Sequence, residues 1–196
     1  MTVVSNIKRV ATIFANLENI HLIKDPGMIP YTLQKYYGYQ AIIPFSSLKN
    51  YPYKDKYYLD IETPVLLDKK SEKGKYLIRL KWLIKNARKI DVLQLYFFDK
   101  WTFLLMYIYK KVNHKGLVYV HVDTDGKRLI DYEFSSNPIK KFITKRVFLN
   151  NKVINDTLWG IQNSTNVKKL EGVWPFVNIK FVPNGFFWEG NSKLEY

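Results

Sequence analysis

The sequence predicts an α/β protein with a mainly parallel sheet that is covered on both faces by helices. Segments with the two-residue period of a strand alternate with helical segments along the 196 residues. The strand segments are almost continuously apolar, which is typical of strands that are buried on both sides. Because no internal repeat or low-complexity linker interrupts the alternation, we expect a single domain over residues 1–190 and a short tail over 191–196.

Seven strands are predicted as short runs of β-branched, aliphatic and aromatic residues between turn-forming residues. They cover residues 8–17, 40–45, 57–67, 90–98, 117–123, 156–163 and 179–185. The segment 46–56, rich in Ser, Asn, Pro and Lys, is predicted as turns. Together with the helices between them, these strands predict a Rossmann-like three-layer sandwich.

Five helices are predicted from apolar periodicity and from start and stop signals. They cover residues 25–38, 74–89, 100–116, 137–152 and 164–172. Gly38 ends the first helix, and Asn137 followed by Pro138 suits the start of the fourth. In the second helix the predicted apolar stripe consists of Tyr76, Leu77, Leu80, Leu83, Ile84 and Ala87.

Composition limits the possible functions. The chain has no cysteine, which excludes disulfides and thiolate metal sites, and its three histidines have no metal-ligand spacing. The longest apolar run, Trp101 to Tyr109, is too short to span a bilayer, and we expect no signal peptide. The net charge of +14 favours an anionic partner. These features predict a cytoplasmic protein.

In a parallel α/β sheet, ligands bind beyond the carboxyl ends of the strands. The turn after the first strand includes Gly27 and Met28; a glycine there permits close backbone approach, and a helix start favours anions. An ordinary turn before Pro30 explains the same residues. No G-x-G-x-x-G dinucleotide motif, P-loop or G-x-S-x-G nucleophile motif is present. The later strand-end turns are residues 98–101, 123–126, 162–165 and 183–185.

Asp123 ends the strand 117–123 and is predicted to face the ligand cleft, where a carboxylate could accept a proton or bind a hydroxyl. His121 shares its face of the strand, and its ordinary interpretation is a buried, hydrogen-bonded histidine. Asp123 and Asp125 form a D-x-D pair that could hold a divalent cation. Because Asp-Gly is also a favoured turn, the pair alone is interpreted as structural.

Two predicted helical segments are strongly basic. Residues 75–90 contain six Lys or Arg and residues 137–152 contain five, without any acid. In the second segment an apolar stripe separates from its basic residues, as in helices that bind anionic membranes. A solvated face is the alternative, and nucleic-acid binding is not expected because no matching motif occurs. The predicted membrane-contact residues are Lys140, Lys141, Lys145 and Arg146.

Four segments in order resemble the N-terminal domain of GT-B glycosyltransferases, in particular the retaining family 4 group. They are "GMIPYTLQKYYGYQ" at 27–40, "KNARKIDVLQLYFF" at 85–98, "GLVYVHVD" at 116–123 and "VPNGF" at 182–186. The resemblance covers nearly the whole chain. Each motif alone is weak, and their order on a β/α pattern is moderately specific. The family's common Gly-Gly is replaced here by Asp-Pro-Gly.

The resemblance implies an acceptor-binding half whose nucleotide-sugar domain, with its basic pair and E-x(7)-E motif, lies outside these residues. It implies a glycan or lipid-linked acceptor, use in cell-surface polysaccharide synthesis, peripheral binding at the inner membrane face, and no metal or cofactor held by this domain. It assigns Asp123 a catalytic position facing the transferred sugar. Gly27, Met28 and His121 fall on the substrate side, and Asn184 and Gly185 fall at the crossing between domains.

Two other hypotheses remain open. A GT-A-like enzyme would use Asp123 and Asp125 to hold Mn²⁺ or Mg²⁺. A non-catalytic basic module would bind anionic lipid or nucleic acid, with strong salt dependence.

Overall fold

The computed structural model describes residues 8–122, 137–139, 142, 151–173 and 178–182. Its main sheet has six strands in the order β2-β1-β5-β6-β7-β8, and all neighbouring pairs are parallel. The strands, with a separate pair β3 and β4, are β1 Arg9–Ile13, β2 Gln40–Ile42, β3 Phe45–Ser46, β4 Val65–Leu66, β5 Val92–Tyr96, β6 Leu117–Val122, β7 Thr157–Ile161 and β8 Asn178–Phe181.

The short pair β3–β4 extends the sheet beyond β2. It is also parallel, and an isolated parallel bridge joins Ile42 to Glu62 just before it. If this pair is counted, successive strands lie outward on one side starting from β1, through β2 to the β3–β4 pair. On the other side they lie outward starting from β5, through β6 and β7 to β8. The order therefore reverses between β1 and β5, and such a reversal is where α/β sheets open a crevice for ligands.

In the described ranges, six α-helices with defined bounds lie between the strands. They are α1 Asp25–Tyr37, α2 Pro52–Tyr57, α3 Glu72–Asn86, α4 Lys100–Val112, α5 Lys152–Asn155 and α6 Ser164–Val173. Gly38 ends α1 in the left-handed conformation (φ 69°), as its sequence position predicts. Asp99 starts α4 by accepting hydrogen bonds from the backbone N–H groups of Trp101 and Thr102. None of the helices in the described ranges could span a membrane.

Two apolar cores lie on opposite faces of the sheet. One lies under α3, α4, α5 and α6 and includes Trp159, Leu93 and Val120, all fully buried. The other lies under α1 and the segments around α2, and includes Phe14, Leu22 and Tyr58. The predicted α/β class, with a mainly parallel sheet between two helical layers, is confirmed.

Three local predictions were wrong. The turn-rich segment 46–56 contains most of α2, whose six residues are too few to show an apolar stripe. The third strand is reduced to the bridge at Glu62 and the two residues of β4. The stripe of α3 is displaced, since Leu77 and Ile84 are 45% and 49% exposed.

Arg79, one of the six basic residues of segment 75–90, lies in the interior. It is 1% exposed, and its Nη1 lies 2.9 Å from both carboxylate oxygens of Asp68. A buried guanidinium needs such a partner because its desolvation is costly. The charge on α3 is thus smaller at the surface than the sequence indicated.

The fourth predicted helix and the last turn lie mostly outside the described residues. Residues 138, 139 and 142 are helical, and the Asn137 side chain accepts a hydrogen bond from the Ile139 N–H, as the predicted helix start requires. Ile139 and Phe142 are 69% and 63% exposed.

Candidate functional site

A row of polar side chains crosses the sheet on the α1 side. Thr12 on β1 donates to the Gln94 side chain at 3.2 Å, and Gln94 donates to the Tyr96 hydroxyl at 2.7 Å, both on β5. The Tyr96 ring lies 5.2 Å from the His121 ring on β6. All four residues are buried. Buried polar groups need such mutual partners, so this row is a connected network within the sheet.

His121 is the centre of this network at the carboxyl edge. Its Nδ1 lies 3.0 Å from the Tyr119 hydroxyl, and its Nε2 lies 2.6 Å from the Gln162 side-chain nitrogen. The same Gln162 nitrogen donates to Asp25 Oδ2 at 3.2 Å, and this oxygen lies 3.4 Å from His121 Nε2. We call Asp25, Tyr119, His121 and Gln162 the edge cluster. It joins β6, the end of β7 and the start of α1.

Gly160 makes the edge cluster possible. It pairs with His121 in the β6–β7 register, and the Tyr119 ring lies over it. A Cβ at this position would lie 2.9 Å from Tyr119 Cε2. The absence of a side chain at Gly160 therefore leaves room for the Tyr119 ring, whose hydroxyl lies 3.0 Å from His121 Nδ1.

His121 is neutral in this environment. Burial lowers the pKa of His121, and the nearby Asp25 carboxylate opposes this shift without reversing it. Because the Gln162 amide donates to Nε2, the proton of the neutral ring belongs on Nδ1, facing the Tyr119 oxygen. Burial also raises the pKa of Tyr119 and of Tyr96, which keeps both hydroxyls protonated. The network thus offers fixed donors and acceptors, with Asp25 as its anion.

Asp25 occupies the start of α1, where the helix dipole favours a negative charge. Asp25 is 7% exposed, and its carboxylate accepts a hydrogen bond from the Gln162 side-chain amide. Gly27, in the first turn of the helix, has no free space beside its Cα, because an added Cβ would lie 2.6 Å from Leu22 Cα and from the Tyr58 hydroxyl. The close approach that Gly27 permits is therefore made by the chain's own loop.

Aromatic side chains lie where the strand order reverses between β1 and β5. Phe14 follows β1 and Phe97 follows β5, with ring centroids 5.3 Å apart. Phe97 has φ 62°, the sole positive φ at a non-glycine residue in the described ranges. Bulky residues rarely adopt this conformation. The backbone N–H of Phe97 donates to the His121 carbonyl at 2.9 Å, which links this strained residue to the strand of the edge cluster.

A second imidazole with a fixed orientation, that of His21, lies beside the Phe14 ring. Its Nδ1 accepts a hydrogen bond from the Glu18 backbone N–H at 2.9 Å, and its ring packs against Phe14 at 4.9 Å. An accepting Nδ1 places the proton of the neutral ring on Nε2. Burial lowers the pKa of His21, although Glu18 opposes this. His21 therefore offers an Nε2–H donor at the reversal of the strand order.

The structure locates three of the predicted site residues. His121 is buried and hydrogen-bonded, as predicted, and lies in the edge cluster. Gly27 and Met28 lie in the first turn of α1, where Met28 is partly exposed. Asp123, Asp125, Asn184 and Gly185 lie outside the described residues, so their roles stay predictions. The same applies to the predicted membrane-contact residues Lys140, Lys141, Lys145 and Arg146.

Sequence reasoning did not identify Asp25, Tyr119 and Gln162 as site residues. Gln162 begins one of the strand-end turns that were singled out, and Tyr119 shares the strand face of His121, so both carried a positional signal. Asp25 carried none, because its contact with Gln162 spans 137 positions. Among the described side chains, no group of three potential ligands could hold a metal ion.

Comparison with known proteins adds little to this picture. No family model matches the chain, and no curated protein matches it. Among solved structures, it is similar to the crystal structure of Rv3272 from M. tuberculosis in its orthorhombic form, with 9% identity and a TM-score of 0.41. The match covers 90% of this chain and 53% of that one, so the chain spans about half the length of that structure. The proposal below depends on the site itself.

Proposed function

We propose that this chain is the acceptor-binding domain of a GT-B glycosyltransferase. The enzyme would move a sugar, with retention, from a nucleotide-sugar donor to a glycan or lipid-linked glycan in cell-surface polysaccharide or glycoconjugate synthesis. The observation that carries the proposal is the edge cluster, a set of fixed hydrogen-bonding groups at the carboxyl edge of a parallel sheet. Such an edge is where α/β folds bind ligands.

The chemistry of the edge cluster suits a hydroxyl-bearing ligand better than an anionic one. Its net charge is that of Asp25, because His121 is neutral and the tyrosines stay protonated. Asp123 follows His121 by two positions in the sequence, the spacing that strand alternation would put on one face. We propose that Asp123 faces the transferred sugar and that Met28 and His121 border the acceptor side.

The start of α1 supports an acceptor role over a donor role. In dinucleotide-binding domains this helix start binds the diphosphate. Here the buried Asp25 carboxylate would repel phosphate, and Leu22 fills the space beside Gly27. A nucleotide-sugar diphosphate therefore needs another binding surface. We propose that it is provided by a second domain with the basic pair and E-x(7)-E motif of the family.

Binding by the 196-residue chain tests the division of labour. We expect glycan acceptors to bind and nucleotide sugars not to bind in calorimetric titrations, and we expect no sugar transfer by the chain alone. The variant His121→Leu should weaken glycan binding, whereas Ile84→Ala, an exposed position on α3, should not. Transfer by this chain alone, or tight binding of a nucleotide sugar that is lost in Asp25→Ala, would refute the proposed division.

We also propose peripheral attachment to an anionic membrane through the segment that starts at Asn137. Ile139 and Phe142 are exposed apolar side chains on its helical residues, and the segment 137–152 contains five basic residues. Apolar burial and charge attraction together favour binding to anionic lipid. Reversing the charges of Lys140, Lys141, Lys145 and Arg146 should weaken sedimentation with phosphatidylglycerol vesicles, and unchanged sedimentation would favour a solvated face.

A further inference from the structure

A cleft lies away from the edge cluster, between α1 and the segment formed by the end of α2 and the turn after it. It has a volume of about 480 Å³. Its lining residues come from these two segments and are Tyr31, Gln34, Lys35, Tyr57, Asp60 and Ile61. None of these residues belongs to the edge cluster. We propose that this cleft, the tyrosine cleft, binds a neutral sugar unit of the acceptor glycan, an inference that rests on the proposed function.

The cleft is rigidly built. The Gln34 side chain donates to the Asp60 carbonyl at 2.7 Å and accepts from the Ala41 backbone N–H at 2.8 Å. Gln34 thereby ties α1 to β2 and to the turn after α2. Ile61, which is 6% exposed, anchors the turn in the core. The walls are held in place before a ligand arrives, which reduces the entropy lost on binding.

The side chains of the cleft match the surface of a pyranose. Tyr31 and Tyr57 provide aromatic surface beside the ammonium groups of Lys35 and Lys56, which lie 5.2 Å and 5.0 Å from the respective ring centroids. Aromatic ring faces also attract the C–H groups of a sugar ring. Lys35 Nζ lies 2.9 Å from the Tyr31 hydroxyl, which leaves further N–H donors for sugar hydroxyls. Asp60, an acidic residue, also lines the cleft. A donor and an acceptor beside aromatic rings suit a ligand that has hydroxyl groups and an apolar ring face.

The presence of both charges decides between neutral and acidic sugars. Lys35 alone would favour a uronic acid, but Asp60 lines the same cleft and would repel its carboxylate. The lining of the cleft thus contains one basic and one acidic residue, so it does not select for an anion as Lys35 alone would. The expected ligand is therefore a neutral hexose unit.

One tyrosine layer connects the cleft to the edge region. The Tyr31 ring packs edge-to-face on Tyr58 with centroids 5.7 Å apart. The Tyr58 hydroxyl donates to the Leu22 carbonyl, beside Gly27 at the start of α1. A glycan that enters at the edge could therefore extend along α1, so that a sugar unit remote from the transferred one occupies the tyrosine cleft.

The test is calorimetric titration of the chain with cellotriose, chitotriose and trigalacturonate. We expect a neutral trisaccharide to bind, and Tyr57→Ala or Lys35→Ala to weaken its binding by roughly threefold to tenfold. The matched control is Tyr37→Ala. Tyr37 is 69% exposed on α1, the helix that also carries Lys35, but it does not line the cleft. Lys35 is exposed, so its replacement should leave the fold intact.

The possible outcomes separate this inference from the proposed function. Binding that is lost in His121→Leu but unchanged in Tyr57→Ala and Lys35→Ala supports the acceptor role and overturns the tyrosine cleft. Binding that depends on Tyr57 and Lys35, in a protein whose full-length form transfers no sugar, supports the cleft and overturns the proposed enzyme. Preference for trigalacturonate, equal loss in Tyr37→Ala, or no binding of any trisaccharide overturns the inference.

Discussion

Each face of the central sheet carries an apolar core, but at the middle of β5 and β6 the two faces differ in character. On the face toward α3 and α4, the strands present Leu93, Val120 and Trp159, which are fully buried in a continuous apolar core. On the face toward α1, the next residues along β5 and β6 are Gln94 and His121, which are equally buried but hydrogen-bonded.

We expect this difference to separate residues that stabilise the fold from those of the proposed binding site. Apolar contacts on the first face contribute free energy roughly in proportion to the buried area. Hydrogen bonds on the second face contribute little net free energy but fix the directions of donors and acceptors. We therefore expect substitutions on the first face to act on folding, and substitutions on the second to act mainly on binding.

Truncation of Trp159 should have the largest effect. It is fully buried, its ring packs edge-to-face on Phe98 at 5.0 Å, and its Nε1–H donates to the Ile154 carbonyl. We expect Trp159→Ala to lower the free energy of unfolding by about 3–5 kcal/mol, measured by urea denaturation. Leu158→Ala, at the neighbouring and 36% exposed position, should cost about 1 kcal/mol or less. Equal costs would contradict the contrast between the faces.

Gly27→Ala should have the next largest effect, because the new Cβ would meet the Leu22 backbone. Overpacking of this kind costs about 1–3 kcal/mol, and thermal unfolding would detect it. Gly172→Ala is the matched control, since Gly172 is also helical and an added Cβ there would have no neighbour within 4 Å. The control should be neutral or slightly stabilising. A harmless Gly27→Ala would show that the Leu22 loop can move aside.

Tyr119→Phe and Tyr109→Phe compare the two faces at constant chemistry. Tyr119 loses its hydrogen bond to His121, and Tyr109, in the apolar core, loses its bond to the Ile90 carbonyl. Each should cost about 0.5–1.5 kcal/mol in unfolding free energy. Glycan binding should weaken only in Tyr119→Phe. If Tyr109→Phe weakens it equally, the loss reflects general loosening of the domain.

The smallest expected effect is a pH dependence of stability. The pKa values of His121 and His21 are lowered in the folded state, so below about pH 6.5 the unfolded chain binds more protons. The free energy of unfolding should therefore fall as the pH drops through this range. NMR titration should show Asp25→Asn moving the His121 pKa further down, because the carboxylate favours protonation, while His21 serves as the unaffected control. An unchanged His121 titration would contradict the Asp25 contact.

The sequence alone determined the class of the fold and most of its elements. The sequences of β5, α4, β6 and α6 have clear strand or helix periods. Their observed positions therefore agree with the predicted ones within a few residues. Gly38 ends α1 as expected because only its backbone accepts that conformation readily. The short α2 was missed because six residues are too few for a period to show.

The tertiary structure alone decided which polar residues meet. The periodicity of α3 could not show that Arg79 turns inward to Asp68, since the partner lies on a different segment. No local sequence pattern identifies Asp25 as a site residue, because its contacts, Gln162 and His121, lie far away along the chain. Periodicity is a local property of the chain, whereas a buried charge or hydrogen bond depends on partners that only the packing of α1 against the sheet brings together.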